Sequence, residues 1–221
     1  MIEPRTPLVN TFLLVLSLML PTLWIESLQS GEDAQDVLEK VKKKYDDILD
    51  AELRFSQTVK FEMTNLEQSA SGTLFLKKGN RYRLEVDDRT IVTDGATVWS
   101  YSPSMNQVII DQFNSDERML SPDKILTGAP GDFMASVLGT EKVGPSDLLV
   151  LKLVPKNDES FISVLKLWID GSTWLVKKAE VVDFNGKMTE YEITELKINT
   201  GLDDRWFTYE IPRGVEVVDL R

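Results

Sequence analysis

Acidic side chains are the residues of this chain whose types and spacing could do chemistry. Two carboxyls in different environments can serve as the general acid and the base or nucleophile of a hydrolase. The candidates fall into three groups: Glu85, Asp87 and Asp88; Glu190, Glu192 and Glu195; Asp203 and Asp204. All of them lie at the ends or on the polar faces of predicted strands, where acidic residues normally meet solvent. We therefore expect no catalytic residue and no enzyme, with a secreted hydrolase as the rival interpretation.

Histidine and cysteine are both missing from the 221 residues. Without them the chain cannot form disulfides, thiol nucleophiles, Ser-His-Asp triads or most zinc, haem and iron–sulfur sites. No segment carries the alternating oxygen ligands of a calcium loop. The sequence therefore predicts neither a metal site nor a cofactor.

The composition is acidic and otherwise that of a globular protein. Asp and Glu number 36 against 25 Lys and Arg, so the formal net charge is -11. Because phosphate contacts need Lys and Arg, we expect no binding to nucleic acid. The chain is 42% hydrophobic and 28% charged, and its length suits one domain that buries its own core.

The first thirty residues predict export. Arg5 is followed by an apolar run, Phe12–Leu20, which ends before Pro21. That run has the length of a signal-peptide core and is too short for a membrane span. We predict a signal peptide at residues 1–30, with an uncleaved anchor from Leu8 to Ile25 as the alternative. Residues 31–221 then form a single exported domain, which we expect to be monomeric.

One amphipathic helix and a series of strands should build that domain. Apolar residues recur at helical spacing between Asp33 and Leu49, and such a helix packs one face on a sheet. About ten runs then alternate between apolar and polar residues, which is typical of an antiparallel sheet with one face away from water. The segment Ser121–Leu138 breaks this alternation. Its pattern predicts two short helices, the second being Phe133–Leu138.

The strands hold more apolar side chains than one helix can cover. One interpretation is plain core packing. The other is a concave apolar cavity with the Ser121–Leu138 helices as its cover. The residues alone leave these two interpretations open.

Four segments, taken in order, resemble a known family. They are Phe55–Gln57 (FSQ), Gly72–Val86 (GTLFLKKGNRYRLEV), Ile91–Pro103 (IVTDGATVWSYSP) with Gln107 and Val108 beyond it, and Phe207–Val215 (FTYEIPRGV) followed by Asp219. Each motif alone is weak, but four in this order behind a predicted signal peptide are specific. They resemble the LolA family of outer-membrane lipoprotein carrier proteins.

The resemblance implies both a fold and a function. The fold is mainly β: an incomplete antiparallel β-barrel with an N-terminal amphipathic helix and a short helical lid over its concave apolar face. The function is that of a periplasmic chaperone without a cofactor. Such a chaperone takes acylated lipoproteins from an inner-membrane ABC exporter and passes them to an outer-membrane receptor. The alternative is a lipid or glycolipid carrier, or an envelope-stress sensor, built on the same barrel.

Strand alternation and the family motifs together predict which residues form the lipid-binding site. The lipid-binding cavity would be lined by Phe55, Val59, Phe61, Leu74, Leu76, Tyr82, Leu84, Val86, Ile91 and Trp99. The lid would contribute Ile125, Leu126, Phe133, Met134, Val137 and Leu138.

The family's basic latch, which ties the lid down in the empty state, falls on Lys78. Here it is Lys in place of Arg, and Gly79 replaces the Pro that follows. Lys cannot make the forked hydrogen bonds of Arg. The resemblance therefore implies either a less stable closed state or a different latch in this chain. From the residues alone, the alternative interpretation of Lys78 is an edge Lys in water.

Overall fold

The computed structural model describes residues 33–61, 66–114, 133–157 and 160–221. The predicted signal peptide, residues 1–30, lies outside these ranges. So do Ile125 and Leu126 of the predicted lid. In the described part of the chain, no helix is both long and apolar enough to cross a membrane.

The predicted helix is confirmed as α1, Ala34–Asp46. Asp33 caps it, because its side chain accepts a hydrogen bond from the backbone N–H of Gln35 at 3.0 Å, and this satisfies one of the amides that a helix start leaves unpaired. Lys43 and Lys44 lie in the last turn, where their positive charges interact favourably with the negative end of the helix dipole. One face of the helix is buried, through Val37, Leu38 and Val41.

Within the described ranges, twelve strands form a single open sheet, which confirms the mainly β fold. All strand pairs are antiparallel except β12 beside β6, which is parallel. The order across the sheet is β12-β6-β5-β4-β3-β2-β1-β11-β10-β9-β8-β7, so β7 and β12 are its edges. The strands are β1 Asp50–Phe61, β2 Leu66–Lys77, β3 Arg81–Val86, β4 Arg89–Thr93, β5 Thr97–Ser102, β6 Gln107–Gln112, β7 Phe133–Val143, β8 Ser146–Pro155, β9 Ile162–Asp170, β10 Leu175–Asp183, β11 Lys187–Ile198 and β12 Glu216–Asp219.

The second predicted lid helix, Phe133–Leu138, is wrong: this segment is the start of the edge strand β7. Phe133, Met134, Val137 and Leu138 have helical spacing, but Phe133, Ala135 and Val137 also follow the two-residue spacing of one strand face. Pairing with β8 selects the second pattern, since tertiary contacts override a short periodic signal. Phe133 and Val137 therefore pack on the core, whereas Met134 and Leu138 are exposed.

Helix α1 covers only half of one face of the sheet, which we call the inner face. Its buried side packs on the β7–β11 half, through a cluster of aliphatic residues that are almost all fully buried. The members from the sheet are Leu151, Leu153, Ile162, Leu165, Leu167, Ile169, Val176, Ala179 and Val181. This cluster is the main core of the protein, and it confirms that the helix packs on a sheet.

The C-terminal segment covers the outer face on the other half of the sheet. Trp206 stacks on Phe75 of β2 with ring centroids 4.4 Å apart. Phe207 beside it is fully buried, as are Val92 of β4 and Val108 of β6. The β1–β6 half is thus covered on its outer face, while among the described residues α1 leaves most of its inner face uncovered.

Candidate functional site

The strand register gathers apolar side chains on the inner face of β1–β4, beside the half of the sheet that α1 covers. Leu74 of β2 lies opposite Leu53 of β1 and opposite Leu84 of β3, because directly paired residues of antiparallel strands share a face. Leu84 in turn lies opposite Ile91 of β4. We define the apolar patch as the cluster in this region: Leu53, Phe55, Leu74, Leu76, Tyr82, Leu84, Val86, Ile193 and Leu196.

Half of the patch is open. Leu53, Phe55 and Leu74 at its base are buried, whereas Leu76, Tyr82, Leu84 and Val86 are only half-buried. A contiguous apolar surface of this kind marks a binding site, since soluble proteins normally bury such patches.

Gly72 allows the floor of the patch to close up. A Cβ atom at this position would lie 2.6 Å from the carbonyl oxygen of Glu85, 2.7 Å from the ring of Phe55 and 2.8 Å from Val86. Only glycine permits so close an approach between β1, β2 and β3. The ring of Phe55 therefore occupies space that a side chain at position 72 would otherwise fill.

A cavity of about 550 Å³ adjoins the patch at the C-terminal end of α1. This volume lies in the range of pockets that hold a small organic ligand. Its apolar lining consists of Tyr45, Ile48, Leu49, Ala51, Leu53, Leu76, Tyr82, Ile193 and Leu196. Its polar lining consists of Asp46, Asp50, Lys77, Lys78, Gly79, Asn80 and Arg81. The cavity thus has an apolar floor and a charged rim.

Lys78 holds the rim of the cavity to α1. Its ammonium group donates a hydrogen bond to the backbone carbonyl of Asp46, the last residue of the helix, at 2.7 Å. Its backbone N–H donates to the carbonyl of Leu49 at 3.0 Å. A cation at a helix C-terminus is also stabilised by the helix dipole. Among the residues described, the predicted latch therefore contacts the N-terminal helix.

The other two cations of the rim are directed to the C-terminal segment. Lys77 bonds to the carboxylate of Asp204 and to the carbonyl of Leu202. Arg81 donates to the same carboxylate at 2.8 Å. These bonds join the β2–β3 hairpin to the segment that covers the outer face.

Asp50 joins the start of β1 to the chain that follows β11. Its buried carboxylate accepts hydrogen bonds from the backbone N–H and hydroxyl of Thr200 at 2.7 and 3.0 Å, and from the N–H of Gly201 at 3.0 Å. Burial by itself would raise the pKa of this carboxyl, but the hydrogen bonds outweigh it and hold the pKa below its ordinary value. Asp50 is therefore ionised and fixes one wall of the cavity.

We expect the substitution Asp50→Asn to lower the free energy of unfolding at neutral pH by roughly 1–3 kcal/mol, because an amide accepts fewer of these hydrogen bonds and carries no charge. The folded pKa is lowered, so the stability from ionised Asp50 is present above the unfolded pKa of about 3.9 and is lost as the pH falls through the folded value. Urea denaturation at several pH values should show the difference from wild type shrinking below about pH 4. Asp47→Asn, an exposed neighbour, is the control, and a difference independent of pH would contradict this role.

Most of the predicted cavity residues come together. Phe55, Leu74, Leu76, Tyr82, Leu84 and Val86 are all members of the apolar patch. Ile91 is half-buried beside them through its pairing with Leu84. Val59 and Phe61 lie on the same face of β1, farther along the strand, and are half-buried.

Trp99 is the exception. The strand register places it on the outer face, so the prediction that it lines the cavity is wrong. It lies opposite Val92 of β4 and Ile110 of β6. Those two side chains are buried on the outer face. Val98 and Trp99 are adjacent apolar residues, so alternation within β5 does not decide which of them faces inward.

The contribution of β11 and of α1 to the site was not predicted from the sequence. Leu196 lies opposite Leu53, and Ile193 lies opposite Phe55, so a bulge separates the two pairs. This bulge interrupts the alternation that would have assigned both residues to one face. Tyr45 lies at the end of α1 and contacts both the core and the patch.

Five of the eight acidic groups considered for catalysis form ion pairs: Glu85, Glu190, Glu195, Asp203 and Asp204. A hydrogen bond from Lys197 lowers the pKa of Glu195, one from Arg205 lowers that of Asp203, and one from Lys77 lowers that of Asp204. A general acid needs a raised pKa. These carboxyls therefore have the environment of surface ion pairs, which argues against the rival hydrolase.

Comparison with known proteins identifies a family that this chain matches. The family model described as outer membrane lipoprotein carrier protein LolA matches residues 48–210. A protein of Pseudomonas aeruginosa named outer-membrane lipoprotein carrier protein is 29% identical over 170 residues, covering 75% of this chain and 79% of its own. A protein of the same name from Pasteurella multocida is 27% identical over 215 residues, covering 96% of this chain and 98% of its own.

A solved structure shows the same fold. An uncharacterized conserved protein from Thermus thermophilus superposes with a TM-score of 0.57 at 15% identity, covering 85% of this chain and 99% of its own. At that identity the likeness concerns the fold alone. The family match, however, spans well over half of the sequence and includes the strands of the apolar patch. The chain belongs to the LolA family of outer-membrane lipoprotein carrier proteins.

Proposed function

We propose that this protein binds the acyl chains of lipoproteins on the apolar patch and in the adjoining cavity, and carries them across the periplasm. The observation that carries this proposal is the half-open inner face: Leu76, Tyr82, Leu84 and Val86 form an apolar surface that α1 does not cover. Membership of a family of lipoprotein carriers supports it.

The physics of the cargo explains why such a surface is needed. At about 0.8 kcal/mol per buried CH₂, one sixteen-carbon chain gains roughly 12 kcal/mol on leaving water. Release of the chain into water would therefore be very slow, and transfer must run from one apolar surface to another. A carrier needs a site that shields the chains yet remains open on one side.

The partners and compartment follow from this role. We propose that the cargo comes from an inner-membrane ABC exporter and leaves to an outer-membrane lipoprotein receptor, with the carrier in the periplasm. Binding and release of the acyl chains involve no bond chemistry, so this function is not enzymatic. Charged rim residues around an apolar floor suit contact with such partners, because rim charges chiefly steer association.

Within this proposal, Lys78 controls access to the cavity. Its hydrogen bond to Asp46 fixes the end of α1 against the β2–β3 hairpin. Because the ammonium group meets the described helix through one hydrogen bond, in contrast to the fork of an Arg, this contact can break at modest cost when cargo enters.

Mass spectrometry of the protein purified from its native envelope tests the proposal. Co-purified acylated lipoproteins are the expected result. Free glycolipids in their place would favour a glycolipid carrier, and the absence of any lipid from the purified protein would contradict a carrier function.

A further inference from the structure

Tyr45 lies at the boundary between the covered and the open halves of the inner face. It is the penultimate residue of α1. Its side chain packs against the core cluster beneath the helix and also against the apolar patch. It lines the cavity as well. One ring therefore separates the solid interior of the protein from the space that is open to a ligand.

A hydrogen bond from β10 fixes the position of this ring. The backbone N–H of Val176 in β10 donates a hydrogen bond to the Tyr45 hydroxyl at 3.2 Å. Burial raises the pKa of Tyr45 to about 12, partly offset by this hydrogen bond, so the hydroxyl stays neutral at any physiological pH. A second aromatic residue, Tyr191, contacts both clusters in the same way and meets Phe55 edge-on at 6.0 Å.

Fully packed aliphatic side chains belong to the core cluster on the far side of the ring. Ile169, Val176 and Leu167 have no exposed surface. Interiors packed in this way do not admit further methylene groups without strain. A hydrocarbon chain that extends along the cavity towards the core therefore stops at Tyr45.

We propose that Tyr45 is the end wall of the acyl site and sets the length of acyl chain that the site can hold. The inference rests on the proposed function, because it concerns the same cavity. It assigns a specificity-determining role to a residue of the N-terminal helix, outside the strands that form the floor of the patch.

Binding of a homologous series of acylated peptides tests this role. The probe is one water-soluble peptide carrying a single saturated chain of roughly eight to eighteen carbons, and affinity is measured by titration calorimetry. For wild type we expect affinity to rise about fourfold per methylene and then to level off at the length at which the chain meets the ring. In Tyr45→Leu the levelling-off point should shift to longer chains by roughly two methylenes or more.

Tyr45→Phe is the matched control, because it keeps the ring and loses only the hydroxyl; its levelling-off point should equal that of wild type. Tyr45→Met serves in the same way as Tyr45→Leu if the latter fails to fold. An unchanged levelling-off point in the folded Leu or Met variant would overturn the role of Tyr45 while leaving acyl binding intact. Failure of wild type to bind any member of the series would instead overturn the proposed function, and this inference with it.

Discussion

Replacing Leu84 with Glu should abolish binding of acylated lipoprotein while leaving a folded protein. Leu84 lies at the centre of the apolar patch, between Leu74 and Ile91 on the neighbouring strands. It is half-buried in the empty protein, so a carboxylate at this position can reach water. A bound acyl chain would remove that water, and burying an unpaired charge costs several kcal/mol. We expect a loss of affinity of at least about 100-fold, or roughly 3 kcal/mol, in a pull-down or titration.

Ser71→Glu is the matched control for this variant. Ser71 is exposed on β2, opposite Ser56, and one position before Gly72 on the other face of the sheet. It adds the same carboxylate outside the patch, so binding should stay at the wild-type level. Circular dichroism should show the same β content for both variants. Normal binding by folded Leu84→Glu would show that Leu84 does not line the acyl site.

A clear loss of stability is expected for Gly72→Ala. The added methyl group would meet the carbonyl oxygen of Glu85 at 2.6 Å, and this backbone atom cannot rotate away as a side chain can. It would also press on Phe55 and Val86 at the floor of the patch. Overpacking of this kind costs about 1–3 kcal/mol, which outweighs the gain from restricting the unfolded chain. Urea denaturation should show this loss in the free energy of unfolding.

Gly171→Ala, in the turn between β9 and β10, provides the comparison. A Cβ atom at Gly171 would meet nothing within 4 Å. The same chemical change should therefore alter the free energy of unfolding by no more than about 0.5 kcal/mol in either direction. Equal destabilisation by both variants would show that close packing at Gly72 is not the cause.

The elements with long, regular patterns were predictable from the sequence. α1 has both a cap at Asp33 and an unbroken apolar face, so its position follows from spacing alone. The strands β2 and β3 alternate cleanly, and this alternation placed Leu74, Leu76, Tyr82 and Leu84 on one face before any register was known. Local pattern and global fold agree at these positions.

The features that depend on register were not predictable. A single residue's slip moves a side chain to the other face, and this is why Trp99 was assigned to the wrong side and why the bulge in β11 concealed Ile193 and Leu196. The start of β7 satisfied both a helical and a strand spacing, and only its pairing with β8 decides between them. The boundary role of Tyr45 depends on two clusters meeting, which no local pattern records.

We propose that acyl chains lie on the inner face of β1–β4. Photo-crosslinking at two adjacent positions of β4 tests this location directly. Ile91 is on the inner face opposite Leu84, whereas Thr90 is on the outer face opposite Glu85. A benzophenone amino acid replaces one or the other, and the protein is irradiated with an acylated lipoprotein or its unacylated form. We expect an adduct through Ile91, with the acylated form only. Equal adducts at both positions, or an adduct at Thr90 alone, would contradict it.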